Sequence, residues 1–398
     1  MKPILVATDI AYWQQRRGNE VRIERLIRYL TKHFRVHVVY IGVSHPPHAT
    51  EVKYHHLPPA TLSAHLAAGL LKCLPERFFI RVIEWLNRRG YTRTLSYFRS
   101  EATLNAFRSL YSEVKPCVVL IEYIWYAFLI EVVDARKSLR IIDTHDVMHQ
   151  RMKRYGEFGR IPDRSCSEAE ELALLKNFDA ILAIHKDDAT YLRSRLDNNV
   201  LLVPHAEEVR PGFYEHHLAT RTANDPIVLI YIGSASDQNK DAITWFIMNV
   251  WNEAMASRFR LNVWGGVCHQ LNNLPTGVKV HGIITDVTNA YAQSDVAINP
   301  IRFGSGLKIK NVEALAFGVP VITTTIGAEG LAIGEAHGLL IADTPGDFHH
   351  QLETLTDPDI RSSFSSGALA TIEKTFSGEA CYGPLVHLIE SHSLESQR

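Results

Sequence analysis

The sequence predicts an α/β fold with two doubly wound domains, and three observations support this prediction. The chain has 398 residues, a length that suits two hydrophobic cores better than one. Short runs of Val, Ile and Leu alternate with longer helical patterns, as expected for parallel sheets covered on both faces. The alternation restarts after a polar stretch near the middle of the chain, which indicates a second sheet.

Six apolar runs predict the strands of the first domain: Ile4–Thr8, Val36–Gly42, Val118–Tyr123, Leu139–Asp143, Ala180–Ile184 and Val200–Pro204. The most apolar window, Cys117–Val133, is interrupted by Glu122 and Glu131 and is shorter than the roughly 20 residues of a membrane span. We interpret this window as a buried strand that leads into a helix.

Six further runs predict the second sheet: Ile227–Gly233, Phe259–Gly265, Val278–Gly282, Asp295–Pro300, Val319–Thr324 and Gly338–Asp343. The segment Glu207–Pro226 is polar and follows neither the helical nor the strand period. We therefore predict an N-terminal domain over residues 1–208, a linker over 209–225 and a C-terminal domain over 226–380. Residues 381–398 form a tail whose return to the N-terminal domain stays open.

Composition excludes several functional classes. Forty-two Lys and Arg residues against 43 Asp and Glu residues give a net charge of -1, so no nucleic-acid partner is predicted. Five scattered cysteines without a CxxC pair indicate neither a disulfide framework nor a zinc ribbon, which favours a cytoplasmic protein. The first ten residues are typical of a strand and not of a signal peptide.

The segment Phe303–Thr324, FGSGLKIKNVEALAFGVPVITT, has the features of an anion site. It follows a predicted strand, and Gly304 and Gly306 let backbone amides approach a ligand at a helix start. Lys308 and Lys310 add positive charge in the first turn, where the helix dipole disfavours lysine unless an anion is bound. The pattern therefore predicts binding of a negatively charged group.

Glu313 lies further along the same predicted helix and is suited to accept hydrogen bonds from sugar hydroxyls. A second loop of small residues, Gly327–Gly330, contains Glu329 and follows the next strand on the same sheet edge. A diphosphate with sugar hydroxyls indicates a nucleotide. The alternative is a simple strand-to-helix turn, with the lysines solvated and Glu313 paired to one of them.

The segment GSGLKIKNVEALAFGVPVITTTIGAEGL resembles the donor-binding region of the retaining glycosyltransferases of family 4. Further matches occur in order along the chain: RGNEVRIERL, IDTHDVMHQR, NVLLVPHAEE, IGSASDQNKDAITWF and VKVHGIITDVTNAYAQSDVAINP. The resemblance is strong over 227–331 and loose before residue 139. It implies the GT-B fold, in which two Rossmann-like domains face each other across a cleft.

The resemblance also implies roles for individual residues. Glu313 would hold the nucleotide ribose, and Gly282 to Ile284 would lie beside the base. Ser305, Gly306, Lys308 and the second-loop residue Glu329 would face the diphosphate and the donor sugar. The loop with Arg17, Gly18 and Asn19 would close over the donor from the opposite domain, and His145 would stand near the transferred sugar.

Three positions depart from the family pattern. Ser305 stands where many members have a first glutamate, so the usual contact of that glutamate with the donor sugar is in doubt. Ser234 replaces a frequent phosphate-binding arginine, so that Lys240 or Lys308 has to supply the charge. Ala206 replaces a common glycine.

The function implied by the resemblance is retaining transfer of a sugar from a nucleotide-diphosphate sugar to a hydroxyl of a glycan or lipid-linked acceptor, in surface polysaccharide or lipopolysaccharide biosynthesis. Lys308 and His145 are the predicted catalytic residues, Lys308 by stabilising the leaving diphosphate and His145 by positioning. No cofactor beyond the nucleotide sugar and no metal is expected. A sugar-nucleotide 2-epimerase of similar fold and a two-lobed binding protein stay open, as do the nucleobase, donor sugar and linkage.

Two other motifs were weighed as metal sites. His145 and His149 have the i, i+4 spacing of a helical metal pair but lack the glutamate of an HExxH motif. His145 has the alternative of a loop histidine bonded to Asp143 or Asp146. The acidic motif at 357–359, DPD, is typical of a helix start with proline in the first turn, and not of a metal-chelating pair.

The segment 75–100 interleaves six arginines with aromatic residues. A basic amphipathic helix of this kind can lie on an anionic bilayer, which predicts a peripheral contact with the inner face of the membrane. The alternative is a helix packed on the N-terminal domain with a solvated arginine face.

Overall fold

The computed structural model describes residues 1–15, 18–42, 51–57, 93–160, 164–222, 224–284, 286–334 and 337–395. Arg17 and positions 75–92 of the basic segment lie outside the described residues. The described residues form two compact units. The first comprises the described parts of Met1–Gln14, Ile23–Val203 and Tyr382–Arg398, and the second joins Gln15–Arg22 to Pro204–Cys381.

The first unit contains a seven-stranded parallel sheet in the order β3-β2-β1-β5-β6-β8-β9, with a two-residue pairing of β4 and β7 beside it. The strands are β1 Pro3–Thr8, β2 Arg35–Ile41, β3 Lys53–Leu57, β4 Arg93–Thr94, β5 Val118–Glu122, β6 Leu139–Asp143, β7 Arg164–Ser165, β8 Ala180–Ala183 and β9 Asn199–Leu202. The central strands are apolar on both faces, and residues such as Leu5, Val119 and Ile142 are fully buried.

Helices cover this sheet: Glu101–Val114, Met148–Glu157, Glu168–Leu175 and Lys186–Arg195, with the short helix Leu95–Phe98 and the 3₁₀ helices Tyr12–Gln14 and Ile124–Val132. Two further helices, Gly18–Thr31 and Gly378–Glu395, contribute residues to both units.

The second unit contains a six-stranded parallel sheet in the order β12-β11-β10-β13-β14-β15. Its strands are β10 Ile227–Ile232, β11 Phe259–Trp264, β12 Val278–Val280, β13 Val296–Asn299, β14 Val321–Thr323 and β15 Leu339–Ile341. Its helices are Phe213–Ala219, Asp237–Asn249, Glu253–Arg258, Thr288–Tyr291, Ile309–Ala316, Pro345–Thr354 and Pro358–Thr371, with a 3₁₀ helix Gly266–Gln270 and a π-helix Ile372–Phe376.

The predicted α/β class is confirmed, and each of the twelve predicted strands is present with ends that differ by at most two residues. The apolar window Cys117–Val133 is a buried strand followed by a 3₁₀ helix. The DPD motif is a helix start as predicted, because the Asp357 side chain accepts a hydrogen bond from the Asp359 amide at 2.8 Å.

Several elements differ from expectation. The two-residue strands β4 and β7 were not predicted, and neither was β3, because its sequence KYHHL is polar and lacks an apolar run. Residues 209–225, predicted as a linker, include the helix Phe213–Ala219, which belongs to the second unit. Tyr214 in this helix is buried, and its hydroxyl donates to the Asp295 carbonyl oxygen at 2.8 Å.

Within the described part of the chain, no helix is both long enough and apolar enough to cross a lipid bilayer.

Candidate functional site

The loop between β13 and the helix Ile309–Ala316 has a backbone that requires glycine. Gly304 and Gly306 have φ values of 115° and 78°, in the left-handed region that L side chains rarely adopt. A Cβ atom on Gly304 would also collide with the side-chain amide of Gln238. The two glycines therefore keep side chains away from the backbone at the start of the helix, a position where the N–H groups of the first turn favour an anion.

Three of the predicted site residues meet at this loop. Lys308 directly precedes the helix, and its Nζ donates to the Gly306 carbonyl oxygen at 2.6 Å and lies 3.3 Å from Oε2 of Glu329. Glu329 comes from the loop after β14, so the pair joins the two loops at the carboxyl edge of the sheet. Without an anion, the Lys308 charge is balanced in part by Glu329.

The helix is fixed to both neighbouring strands by a buried amide chain. Nδ2 of Asn299, at the end of β13, donates to Oδ1 of Asn311 at 2.9 Å. Nδ2 of Asn311 in turn donates to the Gly327 carbonyl oxygen, also at 2.9 Å. Because Asn299 and Asn311 are both buried, these bonds set the position of the helix start relative to the two loops.

The second lysine of the motif, Lys310, points to a different neighbour. Its Nζ lies 2.6 Å from Oδ1 of Asn239 and 3.4 Å from the Tyr231 hydroxyl. Burial lowers the pKa of Lys310 to about 7, with Glu313 opposing this shift and Lys308 adding to it. Sequence reasoning noted the charge of Lys310, but the contacts with Asn239 and Tyr231 depend on how strand and helix pack.

Lys240, the other cation considered for phosphate binding, occupies the helix Asp237–Asn249 with an exposed side chain. The neighbouring Asn239 is buried, and its Nδ2 donates to the backbone and side-chain oxygens of Ser234, both at 3.1 Å. Ser234 is thus linked to Lys310 through Asn239, whereas the Lys240 side chain is exposed to solvent.

Glu313 lies one turn into the helix and is half-buried. Burial and then the Glu313 carboxylate raise the pKa of Tyr291 well above its usual value, which places the two side chains close together. The Tyr291 hydroxyl also donates to the Lys310 carbonyl oxygen at 3.3 Å. The predicted ribose-binding carboxylate therefore has a tyrosine neighbour that the sequence did not reveal.

The segment predicted to lie beside the base follows β12. Gly282 has φ of 82°, its carbonyl oxygen accepts a hydrogen bond from the Gly265 amide at 2.7 Å, and no atom stands within 4 Å of where its Cβ would be. Ile284 is half-buried. Before this segment, the His281 ring stacks on Trp264 with centroids 4.0 Å apart and planes 12° from parallel.

Gly18 and Asn19 begin the helix Gly18–Thr31 and group with the second unit. A Cβ on Gly18 would lie 3.2 Å from Cδ1 of Ile309, so this glycine stands directly against the donor motif. Oδ1 of Asn19 accepts a hydrogen bond from the Glu20 amide at 3.1 Å.

The first unit has its own polar cluster around His145. Nε2 of His145 lies 2.6 Å from Oε2 of Glu122, and both side chains are buried. The His145 ring stacks on Tyr123 at 4.0 Å with planes 8° from parallel. His145 and Tyr123 have φ values of 59° and 67°, a conformation that is costly for residues with a Cβ and that concentrates at functional sites.

Parallel pairing of β5 and β6 brings these residues together, since Glu122 lies opposite Asp143. The His145 ring is bonded to Glu122, whereas Oδ1 of Asp143 accepts a hydrogen bond from the His145 backbone amide at 3.4 Å. The alternative of a loop histidine bonded to Asp143 or Asp146 therefore holds for the backbone amide, which bonds to Asp143, while the ring bonds to Glu122. In the sequence, Glu122 is recognisable only as a carboxylate at the end of an apolar strand.

The residues that could hold a metal in the structure are not the His145 and His149 pair of the sequence motif. His149 is bonded through Nδ1 to Glu171 at 2.6 Å and through Nε2 to the Tyr191 hydroxyl at 3.0 Å, so it is not paired with His145. Among the described residues, Glu122, Asp143 and His145 offer ligand atoms that lie within 4.8 Å of one another. The 2.6 Å bond between His145 and Glu122 already uses one nitrogen and one oxygen of this set.

Comparison with known proteins agrees with these features. Residues 226–357, about a third of the chain, match the family model described as glycosyl transferases group 1. This range contains β10 to β15 and the loops with Lys308, Glu313 and Glu329. No curated protein matches the chain.

Three solved structures share the fold along almost the whole chain. Sucrose-phosphate synthase from Thermosynechococcus elongatus is 16% identical with a TM-score of 0.69, and the alignment covers 98% of this chain and 99% of that one. Anabaena HepE in complex with UDP-glucose is 11% identical with a TM-score of 0.63, covering 98% and 100%. The lipopolysaccharide outer core galactosyltransferase WaaB is 12% identical with a TM-score of 0.62, covering 98% and 99%.

The predicted GT-B fold is thereby confirmed for the whole chain. Its second unit carries a domain that matches the group 1 glycosyltransferases.

Proposed function

We propose that this protein is a glycosyltransferase that moves a sugar from a nucleotide-diphosphate sugar to a hydroxyl of a glycan or glycolipid. The observation that carries the proposal is the start of the helix Ile309–Ala316, where two lysines and a glycine backbone meet at the carboxyl edge of a parallel sheet. Such an edge is where open α/β sheets bind ligands, and a helix start with lysines suits a diphosphate. The match to group 1 glycosyltransferases over the same residues supports it.

In the proposed reaction the bond between the anomeric carbon and the diphosphate breaks, and negative charge develops on the leaving phosphate. Lys308 and the backbone amides of Ser305 and Gly306 would stabilise that charge, and preorganised donors of this kind are worth about 3–4 kcal/mol each when removed. The acceptor hydroxyl attacks from the same face and its proton passes to the leaving phosphate, which gives retention without a dedicated base. His145 is proposed to position the sugar, and neither a metal nor a cofactor takes part.

The acceptor and the location are also proposals. A solved structure of similar fold is a lipopolysaccharide outer core galactosyltransferase, which supports a glycan or lipid-linked acceptor and a role in surface polysaccharide or lipopolysaccharide synthesis. We also propose a cytoplasmic protein, because its five cysteines are scattered without a CxxC pair, with peripheral membrane contact through the arginine-rich, aromatic segment 75–100. Failure to bind anionic liposomes at low salt would remove the membrane contact.

Calorimetric titration with UDP, GDP and ADP in EDTA tests the donor site. UDP is the first candidate, since a neighbour of the same fold was solved with UDP-glucose. We expect micromolar binding of one nucleotide without metal and its loss in Glu313→Ala. Glu353→Ala is the matched control, because Glu353 is an exposed carboxylate of the same unit, paired with Arg258 at 2.8 Å.

Binding of no nucleotide, or equal binding by the Glu313 and Glu353 variants, would overturn the proposed site. Release of free nucleotide diphosphate together with an epimerised sugar, without an acceptor, would indicate the 2-epimerase instead. Binding with no turnover on any acceptor glycan would indicate a binding protein.

A further inference from the structure

Lys310 is held in an uncommon setting for a lysine. Its ammonium group reaches from the first turn of the helix Ile309–Ala316 to β10, where it lies 4.5 Å from the centre of the Tyr231 ring. Its hydrogen-bond partners are Oδ1 of Asn239 at 2.6 Å and the Tyr231 hydroxyl at 3.4 Å. Within the described part of the chain, these partners are all neutral.

The two neighbours hold the amine from one side. The Tyr231 hydroxyl donates to both the backbone and the side-chain oxygen of Asn239 at 3.1 Å, and Nδ2 of Asn239 is committed to Ser234. Oδ1 of Asn239 therefore faces Lys310 as an acceptor. The loop is tightly built here, since a Cβ on Gly233 would lie 2.9 Å from Cε1 of Tyr231 and 3.1 Å from Cβ of Asn239.

The charged groups around Lys310 have opposing effects on its positive charge. Lys308, two residues before it, is a like charge that already has Glu329 as its partner at 3.3 Å. Glu313, one turn further on, is the acid that favours the protonated form of Lys310. Burial, and then the charge of Asp241, raises the pKa of Tyr231 well above its usual value, so the Tyr231 phenol stays neutral. The helix start adds partial positive charge to the same region.

We propose that Lys310 is a further contact of the anionic donor and that it takes up a proton from solvent when the diphosphate binds. This inference rests on the proposed function, because it uses the same helix start as the donor site. The amine donates to Oδ1 of Asn239, and Glu313 is the acid that favours its protonated form. A bound diphosphate adds further negative charge, and a proton from solvent adds to the Nζ lone pair to give the ammonium.

The size of the effect follows from simple electrostatics. Lys310 has a pKa of about 7, so the side chain is mostly neutral at pH 8. An opposite charge at about 4–6 Å moves a pKa by about 1–3 toward the charged form, which makes Lys310 at least about half protonated in the complex. The expected uptake is therefore about 0.4–0.9 proton for each diphosphate bound at pH 8.

Calorimetry in two buffers of different ionisation enthalpy measures this uptake. The probe is UDP-glucose, because its phosphates are diesters that do not titrate near pH 8, so any proton exchanged comes from the protein. We expect an uptake of about 0.4–0.9 proton by the wild type and about zero by Lys310→Arg, whose guanidinium is always charged. Lys374→Arg, at an exposed lysine of the same unit, is the matched control and should keep the wild-type uptake.

The outcomes separate this inference from the proposed function. UDP-glucose binding with equal proton uptake in wild type and Lys310→Arg would overturn the role of Lys310 and leave the donor site intact. A ligand-independent measurement covers the case in which UDP-glucose does not bind: carbon NMR of the protein with ¹³C at the lysine ε position, with the Lys310 signal assigned by its loss in Lys310→Arg. Titration of that signal near 10.4, the ordinary lysine value, would overturn the inference on its own.

Discussion

The two polar clusters of this protein occupy equivalent places in their sheets and are built in opposite ways. In the first unit, Glu122 and His145 stand at the carboxyl ends of β5 and β6 as a buried, bonded pair. In the second, Lys308 ends the glycine loop after β13, and Lys310 lies in the first turn of the helix that follows, where its ammonium group donates to the neutral side chains of Asn239 and Tyr231. The difference shows that a position at the carboxyl end of a strand does not by itself determine whether polar side chains bind each other or a ligand. The buried acid and imidazole bond to each other, whereas the two lysines carry the positive charge that the proposed donor diphosphate would balance.

The largest expected effect concerns the buried pair. Glu122→Ala should lower the free energy of unfolding of the first unit by about 3–5 kcal/mol, because it removes one partner of a buried pair. Chemical denaturation followed by circular dichroism measures this change. The matched control is Glu131→Ala, which breaks an exposed pair with Arg99 and should cost less than about 1 kcal/mol. Equal losses in both variants would show that His145 does not depend on Glu122.

The next effect concerns turnover and tests the proposed role of Lys308. Lys308→Ala should reduce turnover by about 10²–10³, since one preorganised donor to the leaving phosphate is lost. Initial rates at saturating donor measure it, with Lys374→Ala as the control at an exposed lysine. Turnover close to that of the wild type would remove Lys308 from the mechanism.

Glu313→Gln should act on binding and leave the chemical step almost unchanged. Replacing the carboxylate by an amide weakens charge-assisted hydrogen bonds to the ribose, so the donor KM should rise about tenfold to a hundredfold. Steady-state kinetics with varied donor concentration separates KM from kcat. A lower kcat at constant KM would place Glu313 at the reacting bonds instead of the ribose.

The smallest effect, taken for each pH unit, is the pH dependence that Lys310 gives to stability. Its pKa is about 7 in the folded chain, against about 10.4 when unfolded, so the unfolded chain holds more protons between these values. This contribution destabilises the folded unit fully below pH 7 and disappears above about pH 10.4. Lys310→Met should therefore stabilise the second unit at pH 7, and the gain should shrink as the pH rises.

Between the two pKa values, linkage lets the gain in unfolding free energy change by at most about 1.4 kcal/mol for each pH unit. The half-buried position of Lys310 makes this change smaller. Thermal unfolding at several pH values, with Lys374→Met as the control, measures the difference. A gain that is constant with pH would mean that Lys310 titrates normally in the empty site.

The sequence predicted the sheets well because their strands are buried on both faces and appear as apolar runs, as in Leu139–Asp143. It missed β3, an edge strand whose residues include His55 and His56, since edge strands need no apolar run. It placed Lys308 and Glu329 in one site but not as direct neighbours.

The contacts between the remaining site residues could not be predicted, and the reason is physical. Glu122 and His145 are far apart in sequence and meet only through the parallel pairing of β5 with β6. Lys310 was recognised as a charge in a helical turn, but its direction is set by Asn239 and Tyr231, which come from another strand and helix. Pairwise contacts of this kind leave no periodic pattern in the sequence.

The stack of Trp264 on His281 provides an intrinsic optical signal next to Gly282. Burial, and then Lys279, lowers the pKa of His281, so the ring is neutral at physiological pH. A neutral imidazole quenches indole emission less than an imidazolium does, and a nucleobase that approached this stack would alter the emission again. The difference in fluorescence between wild type and Trp264→Phe should therefore change on mild acidification and on nucleotide addition, and would report occupancy of the base region without any attached dye.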